Sequence, residues 1–279
     1  MGGPEVPRTE FAPESVQNMV YVRSEDAVVD LSKQRLFLQR VQGVNRTLPK
    51  VSIGTKKFNP FDLWVRNPSA LKVNELVHDA GNPDRIIPAP HGDGYNINMF
   101  QAPRYVERAA DMTKVQPFLD FMDYLIPDAD ERRYLLDWIA CKMHDYTFRG
   151  TAVVVVSKTQ GIGKTTLFRV MQKVLGPQNT MTLLKEDLVE SQFNPWRTSL
   201  LVCVNELLGA IDYAVNRRSH NRLKEVVDTS SQVVTVNEKH MRPYNARCAT
   251  SFLFFSNHMD ALFLSSGDRR FFVAAGAEV

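Results

Sequence analysis

Cysteine is scarce in this sequence. Cys141, Cys203 and Cys248 stand far apart with no paired spacing, which argues against a disulfide framework and fits a reducing, intracellular setting, expected to be cytoplasmic. Metal-ligand spacing is missing as well. Cys141 and His144 could share a helix face, but no second ligand pair accompanies them, so no structural zinc site is expected. No apolar run approaches the roughly 20 residues of a membrane span. Met1-Gly2-Gly3-Pro4 lacks the basic stretch and apolar core of a secretory signal, so no membrane partner is expected. Internal repeats and low-complexity tracts are absent. Charge of one sign is also in short supply: 34 Lys and Arg face 31 Asp and Glu, a net of +3, which alone says little about a polyanionic partner. What remains is an ordinary globular composition, 44% apolar and 23% charged over 279 residues, enough for one large domain or two modest ones.

Four regions follow from patterning. Residues 1–15, rich in Pro, Gly and Glu, read as a disordered lead-in. Residues 16–110 mix short apolar runs such as Met19-Val20-Tyr21-Val22 and Leu36-Phe37-Leu38 with turns at Asn59-Pro60, Asn67-Pro68 and Asn82-Pro83. They predict a small mixed α+β accessory domain with a long irregular exit through Pro88, Pro90, Gly92 and Gly94. In residues 111–149 helical spacing takes over. Phe118, Phe121, Met122, Leu125 and Ile126 share one face, Pro127-Asp128 breaks the helix, and Asp130-Glu131 open a second one with a stripe of Leu135, Trp138, Ile139 and Met143. Residues 150–279 alternate strands and helices, which predicts an α/β core.

That core opens on Thr151 to Val156, a β-branched run suited to a strand buried on both faces of a parallel sheet. It delivers Gly161-Ile162-Gly163-Lys164-Thr165 into a helix running from Lys164 to about Val174. Backbone N–H groups at such a turn face phosphate oxygens, aided by the helix dipole. Lys164 is expected to reach the β- and γ-phosphates of ATP, with the Thr165 hydroxyl on Mg²⁺ and Thr166 beside it. The full phosphate-loop pattern is not met, because Lys158 occupies its first glycine position and Gly161 must supply the flexibility.

Hydrolysis needs more than a phosphate loop. The strand at Leu200–Val204 ends in Asn205-Glu206, at the end of the sheet that faces ligands in open α/β folds. Glu206 is therefore the candidate to polarise water, directly or through the metal shell, with Asn205 standing where many ATPases carry a second acid. A later strand, Ser251–Phe255, delivers Ser256-Asn257, whose amide can bond the γ-phosphate or orient water. Asp268-Arg269-Arg270 follows, and either arginine is a candidate to stabilise the transferring phosphoryl group across a subunit boundary.

As a set, Gly163-Lys164-Thr165, Asn205-Glu206, Ser256-Asn257 and Asp268-Arg269-Arg270 resemble motifs A, B and C and the arginine finger of superfamily 3 helicases. The likeness is nearest to the helicase portion of phage, plasmid and poxvirus primase–helicases. It covers Phe118 to the C-terminus, and upstream Asn96-Ile97-Asn98-Met99-Phe100 looks like the segment that precedes such an ATPase. The resemblance implies a P-loop NTPase core of AAA+ type and a homo-hexameric ring with ATP between subunits. It also implies translocation on single-stranded DNA and a primase–polymerase domain or partner. The chain ends nine residues after Arg270, earlier than this likeness leads one to expect, which leaves room for a larger parent protein.

In that family a basic β-hairpin between motifs B and C meets DNA. Here Gln232 to Tyr244 reads as a β-rich segment with a basic turn before the return into Ser251–Phe255. From Arg217 to Arg247 seven Lys and Arg face three Asp and Glu, the local excess that phosphate neutralisation requires. Lys239, His240 and Arg242 are the expected contacts, with Tyr244 placed to stack on a base. Two other readings stay open: a P-loop phosphotransferase (a small-molecule kinase), and a DNA-binding scaffold whose ATPase has decayed.

Overall fold

The structure, a computed structural model, describes residues 16–33, 36–68, 70–90, 92–104, 109, 111–205, 221–239, 241–258 and 268–278. Among them, no helix is long and apolar enough to cross a membrane. The chain divides after Phe100 into two compact units. The sequence pattern had placed that break near residue 110.

The first unit is built from short elements, as its many turn signals require. Strands β1 (Met19–Val22) and β2 (Ala27–Asp30) pair antiparallel, β3 (Gln39–Arg40) lies on the outer edge of β2, and helix α1 (Val41–Thr47) follows. A ribbon of β4 (Val51–Ile53) and β5 (Lys56–Phe58) leads into helix α2 (Pro60–Arg66), and β6 (Lys72–Val73) joins β1 in parallel. The core here holds Val28, Val44, Phe61 and Trp64, with the two aromatic rings 5.2 Å apart.

A second sheet of this unit corrects the expected irregular exit. Strand β7 (Leu76–Val77) and β8 (Ile86–Pro88) flank β9 (Tyr95–Asn98), so Pro88 and Gly94 belong to a hairpin whose register sets Pro88 opposite Tyr95. The segment Asn96–Phe100, which the family likeness sets ahead of the ATPase, lies in the first unit. Apolar periodicity missed β9 because two of its three buried residues, Asn96 and Asn98, are amides. Asn98 is fully buried and satisfied on both sides: its oxygen accepts from the N–H of Asp79 and Phe100, and its NH₂ donates to the carbonyls of Asp79 and Asn82. A buried amide with all its partners costs little.

The second unit opens with two helices, α3 (Met112–Leu125) and α4 (Ala129–His144). Asp111 and Asp128 cap them, each accepting from N–H groups of the first turn, as expected at helix starts. Then come β10 (Ala152–Val156), α5 (Lys164–Leu175), β11 (Thr180–Leu183), α6 (Lys185–Val189) and β12 (Leu201–Val204). A helical stretch at 221–227, β13 (Val233–Val236), β14 (Tyr244–Arg247), β15 (Ser251–Ser256) and β16 (Phe271–Ala275) complete it.

Five of these strands form one parallel sheet in the order β11-β12-β15-β10-β16. The valines of β10 are buried throughout, as the β-branched run predicts for a central strand. Strand order reverses at β10: the chain leaves it for the far edge, returns through β12 and β15, and ends on its other side. In open α/β sheets that reversal, at the carboxyl ends of the strands, is where ligands bind.

Helix α4 departs from its expected stripe at one position. Lys142, not Met143, is fully buried. Its ammonium donates to the carbonyls of Tyr146 and Phe148 at 2.7 Å each, and of Ala249 at 2.5 Å. Burial pulls its pKa down to about 7. This lysine ties the end of α4 to the loop ahead of β10 and to the entry of β15. Replacing Lys142 with Met removes three hydrogen bonds made by a buried ammonium and should lower stability by about 3 kcal/mol or more. A urea-unfolding midpoint equal to that of the parent protein would contradict this role.

Candidate active site

The loop from Ser157 to Gly163 leaves the carboxyl end of β10 and enters α5. Gly161 and Gly163 have φ of 81° and 102°, a region closed to most side chains. Lys158 is not among the residues at positive φ. The first glycine of the usual pattern is therefore dispensable here. Gly163 is restricted a second way, since a Cβ there would lie 2.8 Å from the Phe121 ring. Its carbonyl accepts from the N–H of Thr166 and Leu167, which starts the helix. Among the described residues, the N–H groups of Gly161 through Thr165 find no acceptor. They border a cleft of about 410 Å³ that also takes in Asn205 and Asn257.

Lys164 points into this cleft. Its ammonium donates to Asn257 Oδ1 at 2.6 Å and to the carbonyl of Ser157 at 3.3 Å, and burial lowers its pKa. The meeting with Asn257 follows from register. Val156 of β10 lies beside Ser256 of β15, so the loops beyond them are neighbours. Asn205 emerges from β12 on the other side of β15 and accepts weakly from the Cys203 thiol at 3.5 Å. That thiol stays protonated because burial pushes its pKa up. Glu206, the expected water-activating and metal-supporting acid, lies outside the described residues.

Three supports of the loop escaped the sequence reading. Ser157 donates to the carbonyl of Ala277 at 2.7 Å, and Gly276 donates to that of Val156 at 2.7 Å. Gly276 leaves no room for a Cβ, which would sit 2.8 Å from Ile162, so Ile162 is a buried anchor of the loop. Phe121 closes over Gly163 from α3. Ser157 was visible in principle as a hydroxyl directly after a buried strand. The other contacts join residues more than 40 positions apart in the sequence.

The two arginines stand at the opposite end of the sheet. Arg270 immediately precedes Phe271, which pairs with Ala152 at the start of β10, whereas the loop follows Val156. Five residues of strand, about 16 Å, separate them, so neither reaches the cleft of its own chain along that strand. They also differ from each other. Arg270 is partly buried and approaches Asp228 and Asp268 at 3.5 Å each. Asp268 is itself buried; burial raises its pKa, but bonds to Lys224 and to the Arg270 N–H outweigh that and lower it overall. Arg269 is exposed. The two candidates that sequence could not separate are thus a structural arginine and an outward-facing one.

Strands β13 and β14 form the expected hairpin, with Val236 opposite Tyr244. Its turn end is clamped by Asn194, which donates its N–H to the carbonyl of Asn237 at 3.0 Å and accepts the Asn237 N–H at 2.6 Å. Lys239 and Arg242 are exposed in the turn, with the Lys239 ammonium 5.7 Å from the Phe193 ring centre. His240 lies outside the described residues. Tyr244 is half-buried and donates to Glu238 at 2.6 Å. Burial and that carboxylate push its pKa up. The hydroxyl is therefore held within the hairpin.

Comparison with known proteins agrees on the fold. Residues 155–270 match the model of a family of unknown function (DUF5906). No curated protein matches the chain. Among solved structures, the apo C-terminal region (305–718) of NrS-1 is similar, with a TM-score of 0.70, 19% identity and 92% of this chain covered. A second apo form of that region gives 0.66 at 18% identity over 94% of the chain. The chain spans 58% of the length of these solved chains. Their likeness shows a shared mixed α/β fold with a parallel sheet.

Glycine substitutions separate the two constraints on the loop. Gly161→Ala meets open space and should cost only the left-handed backbone, about 1 kcal/mol. Gly163→Ala adds the collision with Phe121 and should cost about 2 kcal/mol or more. Equal losses of thermal stability in the two variants would count against Phe121 as the second restraint.

Proposed function

We propose that this chain binds and hydrolyses ATP with Mg²⁺ in the cleft at Lys164, and that hydrolysis drives movement along nucleic acid as part of a helicase of a replication system. The observation that carries the reading is the convergence on that cleft of a lysine at a helix start, unpaired loop N–H groups and Asn257 from a strand distant in sequence. Phosphate oxygens would take the N–H groups of Gly161 to Thr165, and Lys164 would turn from Asn257 to the β- and γ-phosphates. The Thr165 hydroxyl, at the first turn of α5, fits a place on Mg²⁺. Asn257 would orient the attacking water and Glu206 would take its proton, directly or through the metal shell.

The distance between the arginines and the cleft supports a site shared between subunits. In a closed ring, one subunit offers its cleft and the next offers the opposite end of its sheet. Arg269, exposed, is the better finger, and Arg270 is the residue that holds its loop through Asp228 and Asp268. A homo-hexamer and single-stranded DNA at Lys239, His240 and Arg242 complete the proposal. A primase–polymerase partner belongs to it as well, while a base contact for Tyr244 is limited to the exposed part of its ring. The basic hairpin favours this reading over transfer to a small-molecule acceptor.

ATP turnover measured with and without single-stranded DNA tests it. Lys164→Ala should reduce turnover about 100-fold or more without loss of thermal stability. Parent-level turnover in the folded variant would remove the site.

Mixing tests the shared interface. Arg269→Ala combined with Lys164→Ala should recover part of the activity that each lacks, because some interfaces then join an intact cleft to an intact finger. Arg270→Ala should instead lower the melting temperature. Co-assembled mixtures that stay inactive at every ratio would count against a finger acting across the boundary.

A further inference from the structure

The steepest charge imbalance in the chain lies away from both the cleft and the β13–β14 hairpin. From Leu31 to Phe61 the sequence contains seven Lys and Arg and no Asp or Glu, so the rest of the chain is net acidic. Six of the seven, Lys33, Arg40, Arg46, Lys50, Lys56 and Lys57, are described, and all six are exposed. Among the described residues none of the six pairs with a carboxylate. Solvated faces ordinarily mix both signs. Crowded like charges repel one another, and a bound polyanion relieves that repulsion.

The geometry narrows the polyanion. Residues 52–57 of the β4–β5 ribbon are all exposed, with Ile53 at 55%. Ile53 lies opposite Lys56 and Ser52 opposite Lys57. Because side chains alternate along a strand, the two lysines stand on opposite faces of the ribbon. Gly54, at φ 62°, makes the turn, and no atom lies within 4 Å of where its Cβ would be. The major groove of B-DNA admits a two-stranded ribbon, and a lysine on each face then meets phosphates on both walls. A single strand along one face would meet only one of Lys56 and Lys57, and residues 52–57 include no aromatic ring for bases to stack on. The deep, narrow major groove of duplex RNA would not admit the ribbon.

We propose that the β4–β5 ribbon of the first unit is a second nucleic-acid site, one that holds duplex DNA by its phosphates through Lys50, Lys56 and Lys57. It goes beyond the motor reading and stands on charge and ribbon geometry alone. Fluorescence anisotropy of the full chain without nucleotide tests it, using labelled DNA duplex, DNA single strand and RNA duplex over a range of salt.

Each lost phosphate contact on B-DNA should reduce the log–log salt slope by about 0.9. Lys56→Ala/Lys57→Ala should therefore lower the duplex slope by about 1.8, with a smaller change on single strand and on RNA duplex. Ser52→Lys should raise the duplex slope by about 0.9, a gain that misfolding cannot produce. Duplex slopes unchanged in both variants would overturn the proposal. So would a loss at least as large on single strand, or a loss confined to binding of poly-glutamate. Failure of the motor reading would show as absent ATP turnover and would leave these slopes as they are.

Discussion

The double pairing of β10 is the constraint on which the rest of the second unit depends. One edge of this strand runs beside β15 and the other beside β16, both in parallel. The first pairing brings Asn257 to Lys164. The second brings Gly276 beneath Ile162 and the Ala277 carbonyl to Ser157. The loop is thus gripped from two sides by segments that follow its neighbours, with Phe121 closing a third. A loop held this way keeps its N–H groups in place without help from a bound anion, which is the preorganisation that charge stabilisation requires.

The same sheet keeps two sets of candidate residues apart. Its carboxyl end carries the cleft, while its amino end carries Arg269, Arg270 and the base of the β13–β14 hairpin, where Cys248 donates to the carbonyl of Gln232. Lys142 also acts at that end, through Ala249. Strand β15 spans the two ends, with Asn257 following it at the cleft and the chain entering it from the hairpin.

Much of this was legible beforehand. The buried valine run, the helix from Lys164 and the strands near Leu201 and Ser251 stand as read, with ends shifted by a residue or two, whereas the hairpin between them closes on Tyr244–Arg247 and not on the expected return into Ser251–Phe255. Each is encoded within a window of a dozen residues, by periodicity or turn chemistry. Where burial is polar, the reading failed. The amide of Asn98 and the ammonium of Lys142 sit inside because carbonyls and N–H groups from other segments satisfy them, and no local pattern announces such partners.

By itself the sequence determined most of the elements of the second unit, the glycine loop ahead of α5 and the order in which its partner strands arrive. Backbone preferences and apolar spacing act over short range, so they survive being read one segment at a time. Tertiary structure alone decided that Asn257 reaches Lys164, that Lys158 needs no glycine, and that Arg270 is held while Arg269 faces out. Those outcomes depend on strand register and on ion pairs between segments far apart in the chain, which form only once the whole sheet has assembled.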